Sequence, residues 1–378
     1  MPPIRVLVLY NEPVLTPGHP DFESEQQVVE TVRGVSENLV RAGYDVCHLG
    51  VSTNPRLLLD GLDELRPDVV FNLFEGVPDQ GTTEAFVAGL LEWSGVAFTG
   101  SPFATLTLAR SKHLCKYLFQ GAGLPTPDFM VVENVPVLEC RLQWPVIVKP
   151  AQEDASVGLD QGSVVVDQSA LNDRVASLLK SYGPPVLVEE FIDGRELNVS
   201  MVEGPKLRIL PVSEVLFVSD GPGYWPIVTY DAKWRPGSRD YEATPPQYPA
   251  NVEPNLAKVL GKIARKAFRL LGCRDYARCD FRVRPSGEPY LLEVNPNPDF
   301  NDLAGLAGSL KSAGLTHAEF TNNLVKMALL RGGAANGMLL NQPTAPIRSP
   351  NRRLGTAAKG SLAGVKSPLR SRRKQKVS

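Results

Sequence analysis

Short apolar runs and helically spaced apolar residues alternate through the first third of the chain. Runs typical of buried strands lie at residues 4–10, 44–49, 68–73 and 96–99. Apolar residues at helical spacing occupy residues 28–39, 57–65 and 83–93. Strands that alternate with helices predict an open parallel α/β layer, because parallel strands need crossover connections. Ligands bind at the carboxyl ends of such strands, where Asn11, Glu12, Asn72 and Glu75 fall.

The pattern changes after a helix predicted at residues 102–121. A small α+β unit is predicted from a strand at 144–150, a polar loop at 151–158, a helix at 169–181 and a strand at 185–192. The last folded part is predicted to hold strands near 197–201, 207–218, 278–283 and 290–295, an amphipathic helix at 254–271 and a closing helix at 316–330. The segment 219–249 is predicted to be a loop that covers a substrate.

Charge separates the folded part from the C-terminal segment. The 378 residues carry a net charge of -1, but residues 332–378 contain ten Lys and Arg and no acidic residue. We expect this segment to be a disordered basic tail that could contact a polyanion, although a solubilising tail without a partner is the favoured interpretation. The predicted domains are 1–122 (N-terminal α/β), 123–193 (central), 194–331 (C-terminal) and 332–378 (tail).

Three further features of the sequence predict a cytoplasmic protein. No apolar stretch reaches the length of a transmembrane helix, so we expect no membrane contact. The N-terminus runs directly into a strand and shows no signal peptide. The five cysteines include no C-x-x-C pair, which is typical of a reducing compartment and argues against a zinc site.

Two neighbouring predicted strands carry polar residues at a spacing of two. Arg278 and Asp280 lie on one strand, and Glu293 and Asn295 lie on the next. Side chains two residues apart share a face of a strand, so these oxygen ligands would form a Mg²⁺ site completed by substrate phosphate. Two surface strands with unrelated polar residues are the competing interpretation. The aliphatic neighbours of Glu293 argue against it, because an unpaired buried carboxylate is costly.

A lysine near a strand end precedes the polar loop at 151–158. Lys149 could pair with phosphate while the N–H groups of the loop close over it. The chain contains neither a Walker A sequence nor a G-x-G-x-x-G fingerprint, so a P-loop and a dinucleotide site are not indicated. A surface lysine beside an ordinary hairpin would be favoured if this element stood alone.

Together these elements resemble the ATP-grasp superfamily, and within it the D-alanine–D-alanine ligase family. The resemblance covers residues 4–331. It is carried, in this order, by Val148-Lys149-Pro150, Ser156-Val157-Gly158, Val188-Glu189-Glu190-Phe191, Gly194-Arg195-Glu196, Asp231-Ala232-Lys233, Arg278-Cys279-Asp280 and Leu292-Glu293-Val294-Asn295-Pro296. It implies an ATP-grasp fold with an N-terminal open parallel α/β domain, a central α+β lid domain and a C-terminal antiparallel-sheet catalytic domain.

The resemblance also implies a role for each matching residue. Phosphate contacts would come from Lys112, Lys149, Lys233 and the loop residues Ser156, Val157 and Gly158. Backbone groups of Glu189, Glu190, Phe191 and Ile192 would meet adenine, Leu292 would also contact the nucleotide, and Glu196 would bind the ribose. Metal ligands would be Asp280, Glu293 and Asn295, for two Mg²⁺ ions or alternatively Mn²⁺. Arg278 would stabilise a tetrahedral oxyanion, with Lys233 and Ser156 as further catalytic residues.

The implied activity is ATP-dependent ligation of a carboxylate to an amine through an acyl-phosphate, with D-alanine as a candidate substrate and peptidoglycan synthesis as the setting. A homodimer is a further expectation from the resemblance. Another ATP-grasp ligase with different substrates is the alternative, and a non-catalytic nucleotide-binding protein is less favoured because it would not need Arg278.

Several amino-acid-binding positions depart from the family pattern. Ala155 stands where the family has the first serine of a pair, and Trp234 stands where it has a tyrosine. The family's His-Gly pair is replaced near Asn72-Leu73, its acceptor serine is replaced by Ala304, and its N-terminal glutamate would be Glu23 or Glu25. An indole only donates hydrogen bonds, so it cannot replace a phenolic acceptor. The acceptor pocket predicted around Asn72, Ala155, Trp234 and Ala304 therefore leaves the substrates open.

Overall fold

The structure is a computed structural model that describes residues 2–14, 22–77, 80–218, 221, 223–301 and 304–338. Most of the predicted basic tail, and the side chains of Glu23 and Glu25, lie outside this description. The final helix continues to Met338. The first residues assigned to the disordered tail are therefore helical, which corrects its predicted start.

The first sheet is parallel throughout, as the alternating pattern predicted. Its strands, in the order β2-β1-β3-β4, are β1 (Arg5–Asn11), β2 (Asp45–Val51), β3 (Val69–Leu73) and β4 (Ala97–Phe98). The crossover helices are α1 (Phe22–Arg41), α2 (Arg56–Leu65) and α3 (Thr83–Ser94). Residues 6–9 of β1 are fully buried on both faces, which explains their uninterrupted apolar run.

The helix predicted at residues 102–121 is two helices, α4 (Phe103–Arg110) and α5 (Lys112–Gly121). The backbone N–H of Lys112 donates to the carbonyl of Ala151 at 2.9 Å instead of continuing the ladder of α4. This tertiary contact breaks the helix at Ser111, where no glycine or proline marked an end. The break places the first residue of α5 against the polar loop at 151–158.

The second sheet is antiparallel and forms a small α+β unit. Its strands, in the order β5-β8-β6-β7, are β5 (Phe129–Val132), β6 (Val146–Pro150), β7 (Val164–Val165) and β8 (Val186–Glu190). Helix α6 (Gln168–Tyr182) covers the sheet and buries Leu171, Val175 and Leu178 against it. Strand β5 was not predicted, because its four residues are too few to show a period.

The third sheet is also antiparallel, with the order β12-β11-β9-β13-β14 and β10 added to β9. Its strands are β9 (Arg195–Val202), β10 (Arg208–Ile209), β11 (Ser213–Val215), β12 (Pro246–Gln247), β13 (Tyr276–Val283) and β14 (Pro289–Asn295). The remaining helices are α7 (Tyr230–Trp234), α8 (Arg239–Glu242), α9 (Pro254–Leu271), α10 (Gly305–Ser312) and α11 (His317–Met338). Within the described residues, no helix has the length and apolar character needed to cross a bilayer.

Two predictions in this part were wrong. The strand expected at 207–218 is the separate pair β10 and β11. The loop expected at 219–249 contains α7, α8 and β12, whose short lengths gave no periodic signal. Helix α9 agrees with its predicted bounds and buries Leu260, Ala264, Ala267 and Leu271.

A buried carboxylate joins the first sheet to the third. Asp275, at the start of β13, is fully buried and accepts the Gly100 N–H at 2.8 Å from the segment after β4. Its carboxylate also accepts both Nη groups of Arg331 in α11. One side chain therefore connects both sheets with the last helix, which packs Leu324 and Val325 on the first sheet.

We expect Asp275→Ala to lower the free energy of unfolding by about 3 kcal/mol, because it leaves the Gly100 N–H without its acceptor and Arg331 without a carboxylate, with only the Phe98 carbonyl still bonded to it. Urea denaturation measures this value. Glu30→Ala is the control: it removes an exposed pair with Arg33, and such pairs contribute at most about 1 kcal/mol. Equal losses in the two variants would contradict the role assigned to Asp275.

Candidate active site

The predicted metal-binding residues meet across two paired strands. Asp280 on β13 lies directly opposite Glu293 on β14, and Arg278 lies opposite Asn295. The register therefore places both carboxylates side by side on one face. Like charges at opposed positions destabilise a sheet unless cations compensate them. Repulsion between Asp280 and Glu293 is therefore the main electrostatic constraint of the site.

Two side chains, Arg278 and Asn198, hold Asp280. The guanidinium of Arg278 donates from Nε and Nη2 to its two carboxylate oxygens at 2.7 and 2.8 Å. The amide of Asn198 on β9 donates to Asp280 Oδ1 at 2.8 Å. Burial opposes the charged form of Arg278, but Asp280 raises the arginine pKa above its ordinary value. Arg278 is thus held in its charged form.

Strand β14 contains a bulge beside these residues. Asp280 pairs with Glu293 whereas Phe281 pairs with Leu291, so Leu292 has no opposite residue. A bulge redirects the side chains that follow it. Here it lets Glu293 and Asn295 share the face of Arg278 and Asp280, while Leu291 on the other side of the bulge remains buried.

Lys112 compensates the second carboxylate. Its Nζ lies 3.0 Å from Glu293 Oε2 and 2.8 Å from Asp154 Oδ1 in the loop at 151–158. Lys112 is the main cause that lowers the pKa of Glu293. Burial alone would lower the pKa of Lys112, but Glu293 and Asp154 raise it. Arg110 also contacts Asp154, at 3.3 Å, so the loop is tied to the end of α4 and the start of α5.

Lys149 lies in a buried ion-pair triad. Its ammonium contacts Glu189 Oε2, and Lys116 Nζ lies 2.5 Å from Glu189 Oε1. The side chains of Lys116 and Glu189 are each 1% exposed, against 11% for Lys149. The two lysines outweigh the effect of burial and hold the pKa of Glu189 below its ordinary value. Glu189 was expected to contribute only its backbone groups. Its side chain is instead the centre of a charge cluster.

The segment predicted to meet adenine follows β8. The N–H groups of Glu190 and Phe191 donate to the carbonyls of Asp128 and Pro145 at 2.9 and 3.0 Å, and the Ile192 carbonyl accepts Arg282 Nε at 3.0 Å. These groups are already bonded within the protein. The prediction for adenine consequently depends on the other backbone groups of residues 189–192.

Glu196, predicted to bind ribose, lies on β9 directly opposite Arg282 of β13. Its carboxylate is 3.4 Å from Arg282 Nη1. Burial raises the pKa of Glu196, and Arg282 opposes the shift. The carboxylate is thereby placed on the same sheet as the metal-binding strands.

The loop at 151–158 is held in a strained conformation against α7. Ala155 and Ser156 have φ values of 54° and 63°, a region costly for residues with a Cβ. Trp234 Nε1 donates to the Ala155 carbonyl at 3.0 Å, and Ser156 Oγ donates to the Val228 carbonyl at 3.0 Å. Gly158 has a φ of 76°, and a Cβ there would lie 2.7 Å from the ring of Pro150. Ala155 and Trp234, two of the positions that depart from the family pattern, are therefore in direct contact.

A cavity of about 1090 Å³ opens beside these elements. Its lining includes the predicted site residues Lys233, Arg278, Glu293 and Asn295 together with Ala155, Trp234 and Ala304. Lys233 is exposed to this cavity. Desolvation by the surrounding protein, followed by repulsion from Arg278, lowers the pKa of Lys233, whereas attraction by Glu293 raises it. The cavity thus brings Lys233, Arg278 and two of the predicted metal ligands together with three of the predicted acceptor positions, whereas its lining does not include Lys112, Lys149 or the segment 189–192.

Three further carboxylates, Glu75, Glu84 and Asp299, face the same cavity. Glu84 accepts Asn297 Nδ2 at 2.7 Å. Burial, with Asp299 and Glu84 adding repulsion, raises the pKa of Glu75 to about 8. Burial likewise raises the pKa of Glu84 to about 7 despite its bond from Asn297. A cationic group bound beside these carboxyls would relieve their repulsion and favour their charged forms.

Asn72 does not belong to the acceptor pocket, which corrects its assignment. Its side chain is buried and accepts the Phe74 N–H at 3.2 Å, shaping the turn after β3. Glu75, which follows that turn, lines the cavity in its place. The sequence had placed both residues at a strand end without distinguishing them.

Lys116 and Asp154 are charged residues of the site that the sequence reasoning missed. Lys116 occupies an inward position on α5, between the buried residues Cys115 and Phe119. A lysine on the apolar side of a helix was the available signal. Asp154 lay in the predicted loop, but its contacts with Lys112 and Arg110 depend on tertiary structure alone.

The two antiparallel sheets and the site between their elements define an ATP-grasp fold. Two solved structures of D-alanine–D-alanine ligase from Bacillus anthracis share it, each covering 88% of this chain and 99% of theirs. The structure in complex with ATP gives a TM-score of 0.68 at 19% identity, and the other gives 0.69 at 20%.

Sequence comparison narrows this class to a family. The family profile described as D-ala D-ala ligase C-terminus matches residues 118–326. A D-alanine–D-alanine ligase of Gloeobacter violaceus is 30% identical over 317 residues, 81% of this chain and 97% of that protein. An uncharacterized protein of Sinorhizobium fredii is 33% identical over 261 residues, 69% and 74% of the two chains. The chain belongs to the D-alanine–D-alanine ligase family, a family of ATP-dependent ligases that form carbon–nitrogen bonds, and the resemblance drawn from its motifs is confirmed.

We expect Trp234→Phe to loosen the loop at 151–158, because phenylalanine keeps the ring but cannot donate to the Ala155 carbonyl. Loss of one hydrogen bond of about 1 kcal/mol corresponds to roughly fivefold faster opening. Hydrogen exchange of the backbone amides at 155–158 measures it. Trp93→Phe, at a tryptophan that is 88% exposed on α3, is the matched control. Unchanged exchange in Trp234→Phe would show that the contact does not restrain the loop.

Proposed function

We propose that the protein joins a carboxylate to an amine with hydrolysis of ATP to ADP and phosphate, through an acyl-phosphate. The observation that carries this proposal is the cross-strand pair Asp280 and Glu293, which lies between Arg278 and Lys112 at the edge of a large cavity. Fixed cations around paired carboxylates suit a transferring phosphoryl group, whose charge must be neutralised.

Lys112, Lys149 and Lys233 are the proposed phosphate contacts. Lys112 contacts Asp154 of the loop at 151–158, and Lys149 lies on β6 just before this loop. The loop would cover the phosphates with Ser156, Val157 and Gly158. Segment 189–192 and Leu292 would enclose adenine, and Glu196 would bind the ribose. The ATP-bound relative supports this placement through its shared fold.

The donor set fits Mg²⁺. Asp280 and Glu293 supply carboxylate oxygens and Asn295 an amide oxygen, whereas the described residues contain no cluster of three or more His, Cys, Asp or Glu arranged for a metal. Few protein ligands, with substrate phosphates completing the shell, are typical of Mg²⁺. When bound, two such ions would neutralise charge on the phosphate oxygens.

In the proposed reaction, a carboxylate oxygen of the first substrate attacks the γ-phosphorus and ADP leaves, which gives an acyl-phosphate. The amine nitrogen of the second substrate then attacks the acyl carbon. Arg278, fixed through Nε and Nη2 to Asp280, would direct Nη1 to the tetrahedral oxyanion. The C–N bond forms in this intermediate, whose collapse breaks the C–O bond and releases phosphate, and the phosphate carries away the proton that the amine nitrogen loses. The loop and α7 would keep water from the intermediate.

D-alanine is the first candidate substrate, because the relatives are named for it. A second candidate, a ligase whose acceptor amine carries an additional positive charge, is favoured by Glu75, Glu84 and Asp299 in the cavity. The replacements Ala155, Trp234 and Ala304 agree with altered substrates, since they remove hydroxyl groups that the family uses. The homodimer remains a prediction.

Glu293→Gln should reduce the rate of ATP-dependent ligation at least about a hundredfold, because it removes charge beside the transferring phosphoryl group. Glu288→Gln, at an exposed position before β14, is the matched control and should retain the rate. ADP release with the active substrate pair is the measurement. A Glu293→Gln enzyme with the normal rate would refute the metal and phosphate assignment.

The identity of the acceptor is tested by measuring ADP release when the protein is supplied with ATP and pairs of D- and L-amino acids. The same assay is run with amines that carry a second cationic group. If the carboxylates select a cation, Glu75→Gln should raise KM for the cationic acceptor about tenfold, as the loss of one charged contact implies. The same change should leave KM for ATP near its original value. Equal effects on neutral and cationic acceptors would exclude a charge-selecting role for Glu75.

A further inference from the structure

Lys116 is enclosed more completely than any phosphate-binding candidate. In addition to Glu189, its Nζ donates to Thr126 Oγ1 at 2.8 Å and to the Leu291 carbonyl at 3.3 Å. Thr126 donates to the same carbonyl at 2.7 Å. Three acceptors match the three N–H groups of an ammonium. Lys116 is therefore fixed in place, with no room to reach a phosphate.

Lys149 is less enclosed than Lys116. It shares Glu189 with Lys116 but retains 11% exposure and lies next to the loop at 151–158. A phosphate under the loop would compete with Glu189 for this ammonium, and Lys149 would leave the carboxylate to meet it. Its departure would leave Glu189, buried to 1% exposure, with one cation. A buried carboxylate without compensation is very costly, so the second cation decides whether Lys149 can leave.

We infer that nucleotide binding exchanges the counterion of Glu189, with Lys149 moving to phosphate while Lys116 remains as the positioning residue that keeps Glu189 compensated. This inference rests on the proposed function for the identity of the nucleotide. It adds a role for Lys116, which touches no substrate and acts through Glu189 and Lys149.

The exchange of counterions also changes the protonation of Lys116. Burial first, and repulsion by Lys149 as well, lower the pKa of Lys116 to about 8, while Glu189 and the more distant Glu293 raise it. When Lys149 leaves, its repulsion weakens and Glu189 attracts Lys116 alone, so the pKa of Lys116 rises. Above about pH 8 the free protein holds Lys116 partly neutral, and nucleotide binding then takes up a proton. Affinity should fall as pH rises through this range.

A double-mutant cycle tests the exchange through nucleotide affinity. In the wild-type background, Lys116→Met should weaken binding of a non-hydrolysable ATP analogue with Mg²⁺ about tenfold, within the range typical of coupled equilibria. In the Glu189→Gln background, where no carboxylate retains Lys149, the same change should alter affinity less than about twofold. Lys116→Arg, which keeps the charge, should rescue at least part of the loss. Equal losses in both backgrounds would overturn the inference.

Proton uptake during nucleotide binding gives a second measurement, made first on the wild-type protein. Calorimetry of analogue binding at pH 8.5 in two buffers of different ionisation enthalpy should show net uptake of a fraction of one proton. Uptake should vanish in Lys116→Met and persist in Glu75→Gln, whose carboxyl also titrates near this pH. Release of protons, or uptake unchanged in Lys116→Met, would overturn the inference. A wild-type protein that binds no nucleotide would instead refute the proposed function, together with any inference drawn from it.

Discussion

Two carboxylates placed side by side on adjacent strands cannot persist without positive charge. Asp280 and Glu293 are opposed in the ladder, and their neighbours are arranged accordingly: Arg278 from the same strand and Lys112 from α5. Because Lys112 belongs to a helix outside the sheet, this requirement also holds α5 against β14. The fold around the site thus follows from a local electrostatic need as much as from apolar packing.

Most of the fold could be predicted from periodicity. Continuous apolar runs such as residues 6–9 indicated buried parallel strands, and α9 showed its inward face in full. Short elements escaped because they contain less than one clear period, as for β5 and α7. The break between α4 and α5 escaped for another reason, since it depends on a carbonyl 39 residues away, at Ala151.

The site was predictable where chemistry is local in sequence. Glu293 and Asn295, two residues apart on one strand, could be assigned to a single face, and the register places them as expected. The bulge at Leu292 and the contact from Trp234 to Ala155 could not be foreseen, because both depend on pairing between distant segments. Lys116 was within reach of sequence reasoning, but a lysine on an inward helical position is readily taken for a surface residue whose stem is buried.

The broken helix has a consequence for the loop at 151–158. The N–H of Lys112 is bonded to Ala151, and its side chain to Asp154, so both ends of this residue hold the same loop. Opening of the loop would separate these two contacts at once, so the start of α5 would lose both of its bonds to the loop. The loop at 151–158 and the start of α5 are therefore coupled through a single residue.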